Sequence, residues 1–557
     1  MSKTEAARLK IRNVWMVTRE YDGLAGAGGV KDVCRQLSEA LVRHGRCRVS
    51  VVLPRYGFID PKPLGFSRLQ LPAPAGAAAC SGDDALLVDL DYAKEIRRES
   101  VAAWHGKKSG VDIYLLEAGR FAEKLGIYTY TAEEERLHSW QKKGSGHYDY
   151  FAMNVLLQKS ALALMMVLGE KPDVIHCQDG HTALIPAMLR ENEGYRHFFR
   201  YTGAVVTIHN AGTGYHQEVD DLDFARAITG LPLRVIDSSL LNLAFDPFLA
   251  ASDYAVMNTV SAQYARELQK TQEDIRTGRL GHALLDRNVI LAGITNGINP
   301  DDFDPTKPDK LGLKAGFDVK RGRLEGKLAC KKYLQHSLSR RKKRARVTQY
   351  GQLLMQPEQP LYTFIGRLTH QKGVDLLIET FAALLQEKVE FQLVVLGSGE
   401  PEIEAVLREL AEKEEFSGQI CLLLGYDQDL ALKVYAAGDF FLIPSLFEPC
   451  GLTDYIAQLL GAIPIVHHVG GLVKVIDGRT GFSYEQHSAA ALTATVRKSL
   501  EIYRSEPETI RRMQIDAVRE IREKHTWKEV MQEYLDLYRE AIILACTAGA
   551  GGSNVEQ

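Results

Sequence analysis

Apolar, β-branched runs alternate with amphipathic stretches along most of the chain, and this alternation predicts the fold class. In the first half, periodic stretches at 32–45 and 150–169 have the spacing of helices that cover a sheet. The apolar runs of strand length lie at 14–18, 49–54, 112–118, 173–179 and 204–210. Continuous apolar strands separated by helices are typical of a parallel sheet covered on both faces. The first half therefore predicts a Rossmann-like α/β domain.

The same alternation begins again at residue 361 and predicts a second α/β domain. Its strand candidates are 361–367, 391–399, 420–426, 440–445 and 463–468, and its helix candidates are 373–388, 402–414 and 430–438. Between the domains lies a polar, basic stretch, 337–360, which we interpret as a connector with a solvated surface. We predict domains at 1–305 and 306–525, and a disordered, Gly-rich tail at 546–557.

Bulk properties narrow the class of protein without identifying it. A chain of 557 residues is too long for one hydrophobic core, and 45% hydrophobic with 25% charged residues is ordinary for a globular protein. A formal net charge of −3 gives no reason to expect a nucleic acid or an anionic membrane as partner. The eight cysteines are scattered without a Cys-x-x-Cys pair, which argues against a zinc knuckle or a disulfide framework and favours a reducing cytoplasm.

Three stretches could indicate a membrane or a nucleic-acid partner, and none of them has the required pattern. The N-terminus is polar, and the most apolar stretch, 161–169, has about half the length of a bilayer span. The basic run 340–346 has no interleaved aromatic residues, so a solvated face explains it better than a nucleic-acid patch. We therefore predict a cytoplasmic protein without membrane or nucleic-acid partners.

Glycines follow the first predicted strand, at a position where parallel α/β sheets bind ligands. Gly28 and Gly29 are expected to lie close to a ligand with free amides pointing at it. A dinucleotide fingerprint fits poorly, because Lys31 stands at the sixth position from Gly26 and the next strand ends without an acidic residue. The cluster therefore predicts an anion-binding loop rather than an NAD site.

Asp179 and His181 follow another predicted strand and precede a helix. Asp179 has the position of a helix cap, which would make it structural. His181 is explained equally well as a buried structural histidine and as a cleft residue that hydrogen-bonds a ligand hydroxyl. The spacing alone does not decide between these interpretations.

In the second domain, Arg367 and Lys372 flank the turn after the first strand, where two cations can grip a diphosphate. Tyr426 ends another strand, where an exposed ring can stack on a base. Glu448 stands between a strand and a helix, and two interpretations remain. It either caps the helix or lies beside an external phosphate bound by the amides of Gly451, Leu452 and Thr453.

Taken together, these segments resemble one family of enzymes. In chain order they read AGAGGVKDV, IHCQDGHTALIP, TIHNAG, NTVSAQYARE, ITNGINPDDFDP, GRLTHQKGVDLL, GYDQDLALKVYAAGD, PSLFEPCGLTDY and VGGLVKVIDGRTGF. The set resembles bacterial glycogen synthases and plant starch synthases and covers roughly residues 12–540. The resemblance implies the GT-B fold, two Rossmann-like domains facing each other across a cleft. It also implies retaining, metal-free transfer of glucose from a nucleotide-glucose, usually ADP-glucose, to the non-reducing end of an α-1,4-glucan such as glycogen.

The resemblance also implies roles for individual residues. The catalytic set is His181, Glu448, Arg367 and Lys372, in which the two cations form a diphosphate clamp. The donor-binding set is Gly28, Gly29, Lys31, Asn296, Gly366, Tyr426, Cys450, Gly451, Leu452 and Thr453. Asp32 belongs to the acceptor side of the N-terminal loop. A helix at 526–545 is expected to cross back to the first domain.

The chain departs from the family pattern near the predicted diphosphate site. Gly26 stands where the family has a lysine that contacts the donor diphosphate, and Lys31 is the nearest cation. The other departures are Leu446 in place of an arginine and His467, Val469 and Lys474 in the segment usually written RxTGGLxDTV. Three alternatives therefore stay open: use of UDP-glucose, an inactive glucan-binding paralogue, and a transferase with another acceptor. The lack of amphipathic basic helices argues against a lipid acceptor.

Overall fold

The chain folds into two units, each built on its own mainly parallel sheet. The computed structural model describes residues 9–71, 85–212, 214–341 and 344–551. The first unit combines the chain up to Gly297 with the chain from Trp527, and the second unit is Ile298–Thr526. The division at Gly297 precedes the boundary predicted at 305.

The first unit has a ten-stranded sheet and a two-stranded hairpin within the described residues. Its strands are β1 (Asn13–Val17), β2 (Arg48–Pro54), β3 (Ser67–Arg68), β4 (Leu86–Asp91), β5 (Ile96–Lys108), β6 (Val111–Glu117), β7 (Val174–Gln178), β8 (Gly203–Ile208), β9 (Leu240–Leu241), β10 (Ala244–Phe245), β11 (Val256–Thr259) and β12 (Ala292–Gly293). Its helices before Gly297 are α1 (Val30–Arg43), α2 (Gly119–Ala122), α3 (Ala132–Leu137), α4 (Tyr150–Val167), α5 (Ile185–Glu191), α6 (Glu193–Arg196), α7 (Leu222–Thr229), α8 (Leu233–Ser238), α9 (Pro247–Ala251), α10 (Ala262–Lys270) and α11 (Leu280–Asp286).

The large sheet has the strand order β12-β11-β8-β7-β1-β2-β6-β5-β3, with β4 paired to β5. The strands from β12 to β6 run parallel. The central strand β7 is buried along its whole length, as expected for a sheet covered on both faces. The antiparallel strands β3, β4 and β5 extend one edge and were not predicted. The N-terminal half of β5 is charged and mostly exposed, so it has no continuous apolar run.

One helix of the first unit is long and apolar enough to cross a membrane by length and composition alone. This is α4, and the apolar stretch 161–169 is only its C-terminal part and the residues just after it. In α4, 72% of the 18-residue window is buried inside the protein. The helix is therefore part of the hydrophobic core of the first unit.

The second unit has a seven-stranded sheet of order β13-β16-β15-β14-β17-β18-β19. Its strands are β13 (Val347–Gly351), β14 (Leu361–Ile365), β15 (Gln392–Gly397), β16 (Ile420–Gly425), β17 (Phe440–Ile443), β18 (Ile463–His467) and β19 (Phe482–Tyr484). Its helices are α12 (Pro308–Leu311), α13 (Glu325–Leu338), α14 (Val374–Gln386), α15 (Pro401–Glu412), α16 (Gln428–Ala437), α17 (Thr453–Leu459), α18 (Ala489–Ser505) and α19 (Pro507–Lys524). Apart from β13, all neighbouring strands run parallel.

The interpretation of 337–360 as a connector is wrong. This stretch includes the end of α13 and the antiparallel edge strand β13, both inside the second unit. Val347 and Gln349 are buried on one side of β13, and Thr348 between them is exposed. Because Gln349 is polar, the strand carries only a weak apolar pattern.

The last helix, Trp527–Gly551, belongs to the first unit. Trp527 Nε1 donates to Gln36 Oε1 at 2.8 Å, and Tyr538 OH lies 2.9 Å from Nδ1 of the buried His176. The helix continues past residue 545, so the predicted disorder is wrong for 546–551. Residues 552–557 of the predicted tail lie outside the described residues.

Candidate active site

Four strands of the second unit bring the predicted donor residues to one edge of the sheet. Strand β14 lies beside β17, and β17 lies beside β18, all parallel. Their carboxyl ends are followed by Arg367, by Glu448 and by the turn Gly470–Lys474. Strand β16 ends at Gly425, directly before Tyr426. This is the edge at which parallel α/β sheets bind ligands.

Lys372 and Glu448 form an ion pair at this edge. Lys372 Nζ donates to Glu448 Oε2 at 2.6 Å, and Ser445 Oγ donates to the same oxygen at 3.0 Å. The side chain of Glu448 is 14% exposed. The helix α17 has no side-chain cap, so the interpretation of Glu448 as a helix cap is wrong.

The surroundings of Glu448 keep this carboxylate ionised. Burial raises the pKa of a carboxyl group, but the charge and hydrogen bond of Lys372 and the Ser445 hydroxyl lower it further than burial raises it. The net pKa of Glu448 therefore lies below its ordinary value. A fixed negative charge with a cation against it is an arrangement suited to stabilising charge that develops in a reaction.

The loop after Glu448 presents backbone amides. Within the described residues, the amides of Gly451, Leu452 and Thr453 have no protein acceptor, as is usual in the first turn of a helix. Gly451 adopts φ +71°, which favours glycine at this position. Helix α17 has only seven residues, so the amides rather than a long helix dipole offer the binding capacity.

Lys474 stabilises this loop through hydrogen bonds to its backbone carbonyl groups. Its Nζ donates to Cys450 O at 2.6 Å, to Gly451 O at 2.8 Å and to Gly471 O at 3.0 Å. It also lies 3.2 Å from Asp454 Oδ1. Lys474 departs from the family pattern, and its ammonium group is used to bind backbone carbonyl oxygens of the loop. Its role is therefore to stabilise the loop.

The remaining donor candidates of the second unit lie around the pair. Arg367 is exposed, and its Nη2 donates to Gln371 Oε1 at 3.3 Å. Tyr426 is 67% exposed, as ring stacking requires. Two candidates are less open: Cys450 is buried, and Gly366 is only partly exposed. His467 Nδ1 lies 2.8 Å from Ser445 O, so it braces the end of β17.

In the first unit, the glycine loop and the Asp179–His181 segment follow neighbouring strands, because β1 pairs with β7. The expectation of a free Gly28 amide is wrong. The buried carboxylate of Glu20 accepts from Ala27 N at 2.7 Å and from Gly28 N at 3.0 Å. The loop is therefore built around an internal carboxylate. The sequence offers only a weak signal for this role, which is the presence of two charged residues, Arg19 and Glu20, shortly after the buried strand β1.

Glu20 also binds Tyr128, whose ring lies against His181. Tyr128 OH donates to Glu20 Oε1 at 2.5 Å, and the Tyr128 ring lies 4.9 Å from the His181 ring, centroid to centroid. His181 is buried, and within the described residues neither ring nitrogen has a hydrogen-bond partner. Burial lowers the pKa of His181 well below its ordinary value, and the nearby Arg19 cation lowers it further. His181 is thus a neutral imidazole with hydrogen-bonding capacity to spare.

Asp179 and Asn296 also differ from ordinary structural residues. Asp179 makes no helix cap, so that interpretation is wrong, and its Oδ1 accepts from His209 N at 2.7 Å. Asp179 adopts φ +59°, a strained conformation of the kind found at functional sites. Burial raises its pKa to about 7, although backbone amides oppose the shift. Asn296 is buried, and its Oδ1 has no partner among the described residues.

Lys31 occupies the space that a side chain at position 26 would need. A Cβ placed on Gly26 would lie 2.0 Å from Lys31 Cδ. Lys31 Nζ lies 2.8 Å from Asp32 and 3.4 Å from Asp22. Asp32 therefore serves first as a partner of Lys31, and the lysine stem crosses over Gly26.

In the described part of the chain, no group of three or more His, Cys, Asp or Glu residues has the geometry of a metal site.

Family models match both units. The model for the starch synthase catalytic domain matches residues 13–284, and the model for group 1 glycosyl transferases matches residues 346–517. The chain is 31% identical to a glycogen synthase of Aeromonas hydrophila over 542 residues, which cover 95% of this chain and 98% of that one. It is 28% identical to a glycogen synthase of Aliivibrio fischeri over 552 residues, covering 96% and 99% of the two chains.

Solved structures have the same fold. The catalytic domain of starch synthase IV from Arabidopsis thaliana, bound to ADP and acarbose, matches with a TM-score of 0.76 at 24% identity, covering 96% of this chain and all of that one. Sucrose-phosphate synthase from Thermosynechococcus elongatus matches with a TM-score of 0.55 at 16% identity, covering 95% and 98%. The predicted GT-B fold, with two parallel-sheet α/β domains, is confirmed.

Proposed function

The chain belongs to the glycogen synthase family and is a hexosyltransferase, and on this premise we propose that its donor is ADP-glucose. Glucose passes from this donor to the non-reducing end of an α-1,4-glucan with retention of configuration. The observation that carries the proposal is the group at the strand ends of the second unit: Arg367, the Lys372–Glu448 pair and the open amides of Gly451–Thr453.

The second unit supplies the electrostatics of the reaction. The bond from the anomeric carbon to the diphosphate oxygen breaks, and a bond from that carbon to the acceptor hydroxyl oxygen forms. Arg367 and Lys372 stabilise the negative charge that grows on the departing ADP, and the loop amides hold its distal phosphate. Glu448 faces the positive charge that develops on the sugar, and the acceptor proton passes to the departing phosphate oxygen.

The first unit orients the sugar. We propose that His181 hydrogen-bonds the glucose 6-hydroxyl and that Asn296 contacts the same sugar. Two observations support these roles: the ring nitrogens of His181 have no partner within the described residues, and Asn296 Oδ1 is buried and unpaired. A neutral imidazole suits a group that positions a hydroxyl.

A pH titration by NMR should find His181 neutral between pH 6 and 8. Burial lowers the pKa of His181, so its ring should keep the 15N shifts of a neutral imidazole throughout this range. His216 is the internal reference: burial opposes its protonation, but the hydrogen bond and charge of Asp246 raise its pKa. Assignments come from His181→Gln and His216→Gln variants. Protonation of His181 at a higher pH than His216 would contradict this assignment.

We propose that the reaction needs no metal ion, because Arg367 and Lys372 supply positive charge for the leaving diphosphate. We further propose that the protein is cytoplasmic. Its substrates are a nucleotide-glucose donor and a glucan acceptor such as glycogen. In support, the seven described cysteines carry thiols rather than disulfides.

A donor competition assay tests the function. Purified protein is incubated with glycogen, radiolabelled ADP-glucose and an excess of unlabelled ADP-glucose or UDP-glucose. We expect incorporation that unlabelled ADP-glucose dilutes strongly and UDP-glucose weakly. Stronger competition by UDP-glucose would reassign the donor, because Tyr426 can stack on either base. Binding of glycogen without turnover of either donor would identify an inactive paralogue, which the departures at Gly26, Leu446 and Lys474 make the specific alternative.

A further inference from the structure

Lys474 stands where the family pattern RxTGGLxDTV has its aspartate, so a positive charge replaces a negative one. Its ammonium group is enclosed by protein: it donates to three backbone carbonyl oxygens, pairs with Asp454 and lies 4.5 Å from the centroid of the Tyr455 ring. The side chain is 7% exposed. Water screens such an enclosed charge only weakly, so groups on the neighbouring loop feel its field.

Two of the three carbonyl groups belong to the same peptide groups as the open amides of the donor loop. A peptide group joins the carbonyl of one residue to the N–H of the next. The carbonyl of Cys450 therefore shares a peptide group with the amide of Gly451, and the carbonyl of Gly451 shares one with the amide of Leu452. The C=O and N–H bonds of a trans peptide point in opposite directions, so both amides face away from Lys474.

This arrangement makes the two amides stronger donors. A hydrogen bond from a cation to a carbonyl oxygen polarises the whole peptide group, which increases the positive charge on its N–H. The charge of Lys474 also reaches the reacting side of the loop. Burial raises the pKa of Glu448, whereas Lys372, Ser445 and the charge of Lys474 lower it.

The backbone fixes the lysine in this place. The third carbonyl partner is that of Gly471, whose amide donates to Glu448 O at 3.0 Å. A Cβ placed on Gly471 would lie 2.0 Å from Cys450 O, so only glycine allows the two loops to approach this closely. The ammonium group therefore keeps one position relative to the open amides.

We propose that Lys474 is a positioning residue for the donor, which acts through the peptide groups 450–451 and 451–452 and strengthens their amides as donors to the distal phosphate of a nucleoside diphosphate. It thereby offsets the cation that the family has at the position of Leu446. This inference rests on the proposed function, because it takes the diphosphate of that donor as its ligand. It adds a contribution of charge to the stabilisation of the loop.

The test compares ADP with AMP in calorimetric titrations of the full chain, because AMP lacks the distal phosphate. Lys474→Met keeps the stem and removes the ammonium group, and the Kd for ADP should rise about tenfold. Lys474→Gln keeps hydrogen-bond donors for the carbonyl groups without the charge, and it should lose nearly as much affinity. The Kd for AMP should stay within about twofold of wild type in both variants.

Lys327 offers a matched control in the same unit. It is buried, and its Nζ donates to three carbonyl oxygens, those of Ala436 at 3.0 Å, Gly438 at 2.6 Å and Leu460 at 3.1 Å. These residues precede β17 and β18, at the opposite edge of the sheet. Lys327→Met should lower the melting temperature, as Lys474→Met does, but it should change the ratio of ADP to AMP affinity by less than about twofold.

Asp454 gives a test of opposite sign. Its buried carboxylate lies 3.2 Å from Lys474 Nζ and offsets part of the lysine charge. Asp454→Asn keeps the shape and removes this opposing charge, so ADP should bind about two- to threefold more tightly. Burial raises the pKa of Asp454 to about 6, although Lys474 opposes the shift, so the titration is made at about pH 8, where the carboxyl is ionised. An ion pair that only held the loop together would give weaker ADP binding in this variant.

Any one of five results would overturn the inference: wild-type ADP affinity in Lys474→Met or Lys474→Gln, an equal loss of AMP affinity, an equal loss of ADP selectivity in Lys327→Met, weaker ADP binding in Asp454→Asn, or a wild type that binds ADP no more tightly than AMP. If Lys474→Met does not fold, Lys474→Gln decides. Binding needs no turnover, so the proposed function fails separately: a wild type that binds ADP through Lys474 without transferring glucose still supports the inference.

Discussion

Lys372→Ala should reduce glucose incorporation into glycogen by roughly 100- to 1000-fold, because one cation is removed from the site where charge builds on the leaving diphosphate. Glu448→Ala should have an effect of similar size, since the carboxylate opposite the developing sugar charge is lost. The two residues form one ion pair at 2.6 Å, so the double variant should be little worse than either single variant. The measurement is incorporation of radiolabelled glucose at saturating glycogen.

Folding must be separated from catalysis in this experiment. Loss of Lys372 leaves the mostly buried Glu448 without its cation and should lower the free energy of unfolding by about 1–3 kcal/mol. Lys498→Ala is the matched control, because Lys498 pairs with Asp477 at 3.1 Å on the surface of the same unit. It should leave activity and thermal stability nearly unchanged. Wild-type activity in either Lys372→Ala or Glu448→Ala would remove the basis of the mechanism.

Lys31→Met should lower kcat/KM for the donor by roughly 10- to 100-fold, the loss expected for one charge-assisted contact. The lysine stem already fills the space above Gly26, with Cδ 2.0 Å from the position of a Cβ there. We therefore expect Lys31 to supply the cation that the family pattern has at position 26. Methionine keeps the packing of the stem and removes the ammonium group together with its ion pairs to Asp32 and Asp22.

Moving the cation back gives a sharper test. Gly26→Lys in the wild-type background should not help, because the new side chain meets Lys31. Gly26→Lys combined with Lys31→Ala should recover much of the activity that Lys31→Ala loses. Lys107→Met, on the surface strand β5, serves as the control and should have no effect. If Lys31→Met binds and turns over donor like wild type, the departure at Gly26 has no compensation at Lys31.

Much of the donor side could be predicted because its residues follow strands with a clear apolar pattern. Arg367, Lys372 and Glu448 lie in the segments that follow the buried strands β14 and β17, and parallel neighbours bring such segments together. The function of Lys474 could not be read in this way. Its three carbonyl partners belong to two loops, and only the folded backbone reveals that the lysine holds these loops together.

The first unit was predicted less completely, because its important contacts also join residues that only the folded chain brings together. Glu20 binds amides seven and eight residues ahead of it and a tyrosine hydroxyl 108 residues away. Such contacts leave no periodic trace in sequence. The antiparallel edge was missed because its strands are partly charged, and the end of the last helix because its final residues are small and Gly-rich.

The return of the final helix to the first unit determines how each unit can be expressed separately. The polypeptide passes between the units twice, after Gly297 and after Thr526. A fragment that stops at Gly297 would lack the tryptophan bound to Gln36 and the tyrosine beside His176, and would expose apolar surface to water. An isolated first unit is better made by joining residue 297 to residue 527 through a short linker, whereas Ile298–Thr526 is already one continuous coding segment.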